Sequence, residues 1–311
     1  MKNNRKSIII YLLLVFTISY LFEILAVMPW YAKVNSGEIT DTTRVALVMA
    51  LVSACMFIPT VSVLLTRVIT NDWKNCYLRP NFKGNLVPYL IGWFGPLVLV
   101  VIGAAVWFAF NPEAFTSFTN PYAEKVPGVG GIVIFVALLL LSPLLNCVAC
   151  FGEEWGWRGF LMPRLHEEYS FFKASMLTGL IWGLWHAPLI AAGHNYHQIY
   201  GISSVWMVLA AIGAMCILSM VLAVLFGYIS ERAHSVWPAV LAHGCLNGVA
   251  GLPLMFTSVM YDPTSLTDGT QSPFNPFVGP LSTGIIGGCA FIVVAVIILI
   301  VMHRRERKES A

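Results

Sequence analysis

The decapeptide FGEEWGWRGF, Phe151 to Phe160, closes a long apolar run and places Glu153, Glu154 and Arg158 where a hydrophobic segment should lie in hydrocarbon. A charged side chain at mid-bilayer is expensive, so it normally pairs, faces a wet cavity or does chemistry. The spacing separates the three charges. Glu154 and Arg158 stand at i and i+4, on one helix face, where they can pair. Glu153 is rotated about 100° from its neighbour and points elsewhere.

The rest of the chain makes the membrane setting plain. Of 311 residues, 58% are hydrophobic and 11% charged, and mean hydropathy is +0.77. An ordinary soluble domain carries about 25% charged residues, so this is an integral membrane protein. The net charge of +3 is small, and no Lys/Arg tract with interleaved aromatics points to nucleic acid. Seven cysteines are scattered, mostly in apolar segments, which is no disulfide framework. A spanning helix needs about 20 apolar residues. Eight candidate spans meet that length, near 8–29, 44–66, 87–110, 130–156, 174–192, 203–229, 235–257 and 278–302. The expected fold is therefore all-α: a polytopic bundle of about eight transmembrane helices, in one membrane domain over 1–311. The first apolar run is longer than a signal-peptide core and no A-x-A-like site follows it, so it is read as a helix. Fifteen Lys and Arg residues fall on one side of this topology and three, Lys33, Arg44 and Lys125, on the other. Positive charge favours the inner side, so both termini are expected in the cytoplasm.

Two further polar patterns lie within spans. Trp182-x-x-x-His186 sets an aromatic one turn before a histidine, and His243-x-x-x-Asn247 sets two hydrogen-bonding groups one turn apart. Small residues flank each: Gly152, Gly156 and Gly159; Gly183 and Ala187; Ala242, Gly244 and Gly248. Small side chains let membrane helices approach closely, so three polar faces are expected to converge on one pocket. Any one of these groups alone reads as structural. Together they supply a general base, a partner for it and donors for an oxyanion, the parts a peptide-hydrolysing site needs.

At these residues the chain resembles the CAAX protease and bacteriocin-processing (Abi) family of intramembrane proteases, relatives of the Ras-converting CAAX prenyl endopeptidases. That family carries a Glu-Glu-x-x-x-Arg, a Phe-x-x-x-His and a His-x-x-x-Asn (or Asp) motif on successive helices. Glu153, Glu154 and Arg158 match the first, His186 the second with Trp182 in place of Phe, and His243 and Asn247 the third. The likeness runs from about Phe151 to Asn247, and makes 130–257 the expected catalytic core. It implies Glu153 as the base for water, aided by His186, with His243 and Asn247 holding the oxyanion and Glu154 and Arg158 anchoring the motif. The substrate would be a membrane-associated or lipidated peptide or protein, met within the lipid bilayer of the cell membrane. Family members are also described as metalloproteases, so Glu153, His186 and His243 are an alternative zinc set. Two histidines and a glutamate suit catalytic zinc in type. With no HExxH, and with the three groups on separate helices, the metal-free reading is preferred.

Other features are less pointed. Cys147-x-x-Cys150 sits in an apolar helix, whereas redox function needs exposure and a lowered pKa. His194 and His197 read as an interfacial His/Tyr cluster. Glu23, in the first span, pairs, snorkels or lines the cavity. No Gly-x-Ser-x-Gly, P-loop or Rossmann fingerprint is present. The competing class is a non-enzymatic immunity or scaffold protein, or a small-solute transporter, although no inverted repeat or broken half-helix supports transport.

Overall fold

The computed structural model describes residues 2–74, 76–196, 204–257 and 274–309. Among them there is no strand, and the chain is an all-helical, multi-pass membrane protein. Helix α1 (Lys2–Phe22) passes through a π-helical turn, Glu23–Val27, into α2 (Met28–Asn35). Helix α3 (Thr42–Cys55) is capped by Asp41, whose side chain accepts from Arg44 N at 2.9 Å, and α4 (Ile58–Thr70) continues it past a short break. Next come α5 (Leu86–Phe110) and α6 (Val129–Leu145). Chain 147–166 holds α7 (Cys147–Glu154), a π-helical stretch Trp155–Leu161, and α8 (Met162–His166). The remainder is α9 (Phe171–Trp185), α10 (Ala187–Ala191), α11 (Val205–Ala233), α12 (Trp237–Val249) and α13 (Cys289–Glu309).

Six of the eight expected spans are long and apolar enough to cross a membrane: Asn4–Val34, Thr42–Thr70, Leu86–Phe110, Val129–His166, Val205–Ala233 and Trp237–Phe256. The other two are helical but shorter in hydrocarbon. The fifth breaks at His186, leaving a 15-residue helix of about 22 Å. The last begins at Cys289 rather than 278, and its end is charged. Both still pack in the bundle, α9 and α13 each against α11. The close approach of α9 to α11 needs glycine: a Cβ on Gly183 would overlap the backbone of Cys216. Helix α12 packs against α5 and α6. Asn146, at the joint between α6 and α7, donates to Gly244 O of α12 at 3.2 Å and fixes that joint.

Polar contacts collect several basic segments at one end of the bundle. Arg5 pairs with Glu168 and Lys74 with Glu167, each at 2.9 Å, and Asn4 donates to Arg164 O. His166 lies between Glu231 of α11 and Glu306 of α13. The chain's start, the connector after α4, the α8–α9 turn and the ends of α11 and α13 thus share one end. Arg158, counted above with the loop charges, does not belong there; it is buried in the core.

Candidate active site

The site forms where α7 and its π-helical extension meet α9, α11 and α12. The π geometry matters locally, because it widens the turn that carries Arg158; such insertions often sit at functional positions. Glu154 and Arg158 make the pair that their spacing predicts, Oε1 to Nη1 at 3.0 Å, and both are fully buried. The same Glu154 oxygen also meets His243 Nδ1 at 2.9 Å. One carboxylate therefore holds the arginine of its own helix and the histidine of α12. The Arg158 guanidinium lies over the rings of Trp182, at 4.1 Å, and Phe226, at 5.1 Å. Cation–π contact of this kind is worth more when desolvated.

Glu153 is buried and turned away from Glu154. Its Oε2 accepts a hydrogen bond from Trp182 Nε1 at 2.7 Å. Trp182 is thus the hub: its indole binds Glu153, and its ring meets those of His243 at 5.5 Å and His186 at 5.9 Å. A phenylalanine at this position would keep the ring contacts but could not donate to the carboxylate.

His186 is half-buried at the break between α9 and α10, and its Nδ1 lies 2.8 Å from Trp182 O. A carbonyl only accepts, so Nδ1 carries the proton and a neutral ring presents Nε2 as an acceptor. Helix α1 holds this break in place: Tyr20 donates to Leu184 O at 2.7 Å, and Trp185 Nε1 donates to Ser19 at 2.6 Å. Asn247 is the least buried of the set, and its amide donates to Cys150 Sγ at 3.6 Å, a weak bond.

The structure therefore joins Glu153, Glu154, Arg158 and His243 into one network through Trp182. It places His186 against that hub and leaves Asn247 at the rim, bonded to Cys150. Two roles escaped the sequence reading: Glu154 as the orienter of His243, and Trp182 as a donor to Glu153. Phe226, which closes over Arg158, belongs to no motif. As placed, Glu153, His186 and His243 do not form a metal-ligating group, and none of three or more His, Cys, Asp or Glu occurs among the described residues. Nδ1 of His243 is engaged by Glu154 and Nδ1 of His186 by Trp182 O.

A cavity of about 490 Å³ is lined by Tyr31, Met49, His194, Ala250, Gly251 and Leu254, the glycine lying one turn beyond Asn247. Tyr31 and His194 meet at 3.3 Å, and burial pushes the His194 imidazole down to about 4, so it is neutral at physiological pH. His197 lies outside the described residues. All seven cysteines are free thiols.

Residues 135–249 match the family described as type II CAAX prenyl endopeptidase Rce1-like, a stretch that contains all six motif residues. A curated relative, CAAX prenyl protease 2 of Methanococcus maripaludis, is 43% identical over 72 residues, 23% of this chain. The aligned segment spans about a quarter of that relative's length. Through residues 135–249, with the three motifs in order on separate helices, the chain is similar to the Rce1-like CAAX prenyl endopeptidases.

Proposed function

We propose that the protein is a glutamate-type intramembrane endopeptidase that hydrolyses a peptide bond in a membrane-associated or lipidated peptide. The observation that carries this reading is the shared Glu154 oxygen, which orients His243 toward the side where Glu153 and Trp182 lie. Glu153 takes a proton from water as the water oxygen attacks the scissile carbonyl carbon. His186 Nε2, an acceptor by virtue of its Nδ1 bond, steadies that water. The developing oxyanion takes hydrogen bonds from His243 Nε2 and the Asn247 amide. For Nε2 to donate, the ring must carry both protons, and the Glu154 carboxylate balances that charge. As the tetrahedral intermediate collapses, Glu153 returns its proton to the leaving nitrogen and the C–N bond breaks.

The proposed steps use no metal; if one were bound, Glu153, His186 and His243 would be its candidate ligands. The functional core is 130–257 within a single membrane domain over 1–311. The gathering of basic segments at one end supports cytoplasmic termini. The lipidated substrate class follows the relative's name, CAAX prenyl protease 2.

The test is cleavage of a lipid-anchored fluorogenic peptide in proteoliposomes. Glu153→Gln, correctly folded, is expected to lose about 100- to 10,000-fold in kcat. Cleavage at the wild-type rate would leave the scaffold reading standing. Elemental analysis of the same active preparation tests the metal-free mechanism; stoichiometric zinc, with activity lost on chelation and restored by zinc, overturns it.

A further inference from the structure

Helix α1 lies outside the family match, yet two of its residues reach the break at His186. The break can be followed carbonyl by carbonyl. In an unbroken helix each carbonyl accepts from the amide four residues on. Trp182 O would take the His186 N–H, and Leu184 O would take the N–H of residue 188. Residue 188 is proline, which has no N–H to give. The His186 N–H turns instead to Gly183 O at 3.2 Å, a three-residue step. A new helix then starts from His186, whose carbonyl accepts from Ile190 N at 3.0 Å.

Side chains fill the two carbonyls released in this way. Trp182 O accepts from His186 Nδ1 at 2.8 Å, and Leu184 O accepts from the Tyr20 hydroxyl at 2.7 Å. The first bond fixes the tautomer of the imidazole. The second covers the carbonyl that Pro188 leaves open. An open carbonyl within a membrane is costly and favours any rewinding of the turn that finds it a donor. Rewinding would move the backbone that sets His186 Nδ1 against Trp182 O. Trp185, between these carbonyls, is held from the same helix: its indole donates to Ser19 at 2.6 Å, and its ring stands edge-on to His186 at 4.8 Å.

We propose that Tyr20 is a positioning residue for His186. Its hydroxyl stands in for the amide that Pro188 lacks, and so keeps the break that holds the proton on Nδ1 and leaves Nε2 bare. Tyr20 acts through His186 and touches no reacting atom. The kinetic consequence rests on the peptidase reading above, in which Nε2 accepts from the attacking water; the tautomer does not. The pairing is also specific. A donor from α1 is needed only while residue 188 is proline.

The experiment pairs kinetics with a readout that needs no substrate. Nitrogen-15 NMR is recorded on protein carrying labelled histidine, in detergent, with the His186 signals identified by their loss in His186→Gln. Wild type is expected to show Nδ1 protonated and Nε2 bare, and Tyr20→Phe to show both tautomers. In proteoliposomes Tyr20→Phe is expected to lose about 3- to 10-fold in kcat, with KM nearly unchanged. Pro188→Ala supplies the missing amide and lets the helix run on, so the His186 N–H competes for Trp182 O and kcat also falls. In that background Tyr20→Phe should change kcat by less than about twofold, because Leu184 O no longer needs the hydroxyl. A wild-type tautomer in Tyr20→Phe overturns the proposal, as do losses that multiply in full in the double variant. If Tyr20→Phe fails to fold, recovery of folding on adding Pro188→Ala supports the proposal, and failure of the double variant to fold overturns it. If no form cleaves any peptide, the peptidase reading fails by itself, and the NMR still reports whether Tyr20 sets the tautomer.

Discussion

Two arginines six residues apart, Arg158 and Arg164, each bury a guanidinium against a carboxylate, and they are built differently. Arg164 donates from Nε and Nη2 to Asp72 Oδ2, both at 3.0 Å, and from Nη1 to Phe160 O at 3.2 Å, while its guanidinium stacks on the Phe160 ring at 3.8 Å. Its donors are used. Arg158 makes one bond, from Nη1 to Glu154, and leaves Nε and Nη2 unpartnered, as Glu154 leaves Oε2. A pair that serves only stability gains by filling its hydrogen bonds. The Arg164 pair does this, clamping the connector after α4 onto α8. The Arg158 pair spends its carboxylate on His243 instead and accepts open polar atoms as the consequence. The difference separates a fastening from a site.

The largest expected effect falls on the fastening. Removing one partner of a buried pair strands the other charge and costs about 3–5 kcal/mol. Arg164→Ala should therefore lower the thermal midpoint in detergent more than Arg158→Ala does, because more bonds are lost. Arg158→Ala should in turn lower it more than Glu153→Gln. The Arg164 effect also has a pH signature. Burial alone would raise the Asp72 carboxyl, but the Arg164 guanidinium and the Lys74 N–H outweigh it and hold the group below its usual range. A depressed acid stabilises the fold above its unfolded pKa, about 3.9, and that contribution is lost as pH falls through the folded value. The gap between wild type and Arg164→Ala should narrow as pH drops from about 5 toward 3. A gap that stays constant would show that the pair does not contribute through charge.

The next effect falls on the site and on rate. On the proposed mechanism, His243→Ala removes an oxyanion donor and leaves Glu154 with Arg158 alone; kcat should fall about 100- to 1,000-fold. Its midpoint should stay closer to wild type than that of Arg164→Ala. If His243→Ala destabilised as much as Arg164→Ala and left kcat per folded molecule unchanged, the contrast between the two regions would collapse.

What could be read beforehand follows from how local each feature is. The all-helical membrane class is carried by composition, and the Glu154–Arg158 pair by i,i+4 spacing; neither needs tertiary knowledge. His243 on Glu154 spans 89 residues and Trp182 on Glu153 spans 29. The motifs name those residues without saying which atom meets which. The break at His186 was hidden because a hydropathy window does not register that a helix stops. Arg158 entered the charge count as a loop residue because the apolar run had just ended, although the chain stays buried through Leu165 apart from a partly buried Pro163. Glu23 was visible but ambiguous. Which face α1 turns inward is a tertiary matter, set by the Tyr11 ring packing on the π-helical stretch and by Ser19 accepting from Trp185 of α9.

A smaller effect tests the hub. Trp182→Phe keeps a ring under Arg158 and beside both histidines but removes the 2.7 Å bond to Glu153. A hydrogen bond to a charged acceptor contributes about 1.5–3 kcal/mol. Because the bond exists before and during proton transfer, only part of that should reach the barrier. A change in kcat of about tenfold is expected, with the fold intact by thermal shift. An unchanged kcat would mean that the indole N–H only fills space.

The smallest expected effect concerns the rim. In the proposed mechanism Asn247 must reach the oxyanion, whereas in the structure its amide rests on Cys150 Sγ at 3.6 Å. Sulfur is a weak acceptor, so this contact steers the amide without holding it. Cys150→Ser shortens the side chain and moves the acceptor away, while serine remains able to accept through water. The loss should be a few tenths of a kcal/mol, about twofold in kcat. Asn247→Ala should cost more than this, because it removes the donor itself, and less than His243→Ala, whose ring is also tied to Glu154. A fall of tenfold or more in Cys150→Ser would place Asn247 among the rigidly fixed groups, and the division between a satisfied fastening and a deliberately loose rim would have to be redrawn.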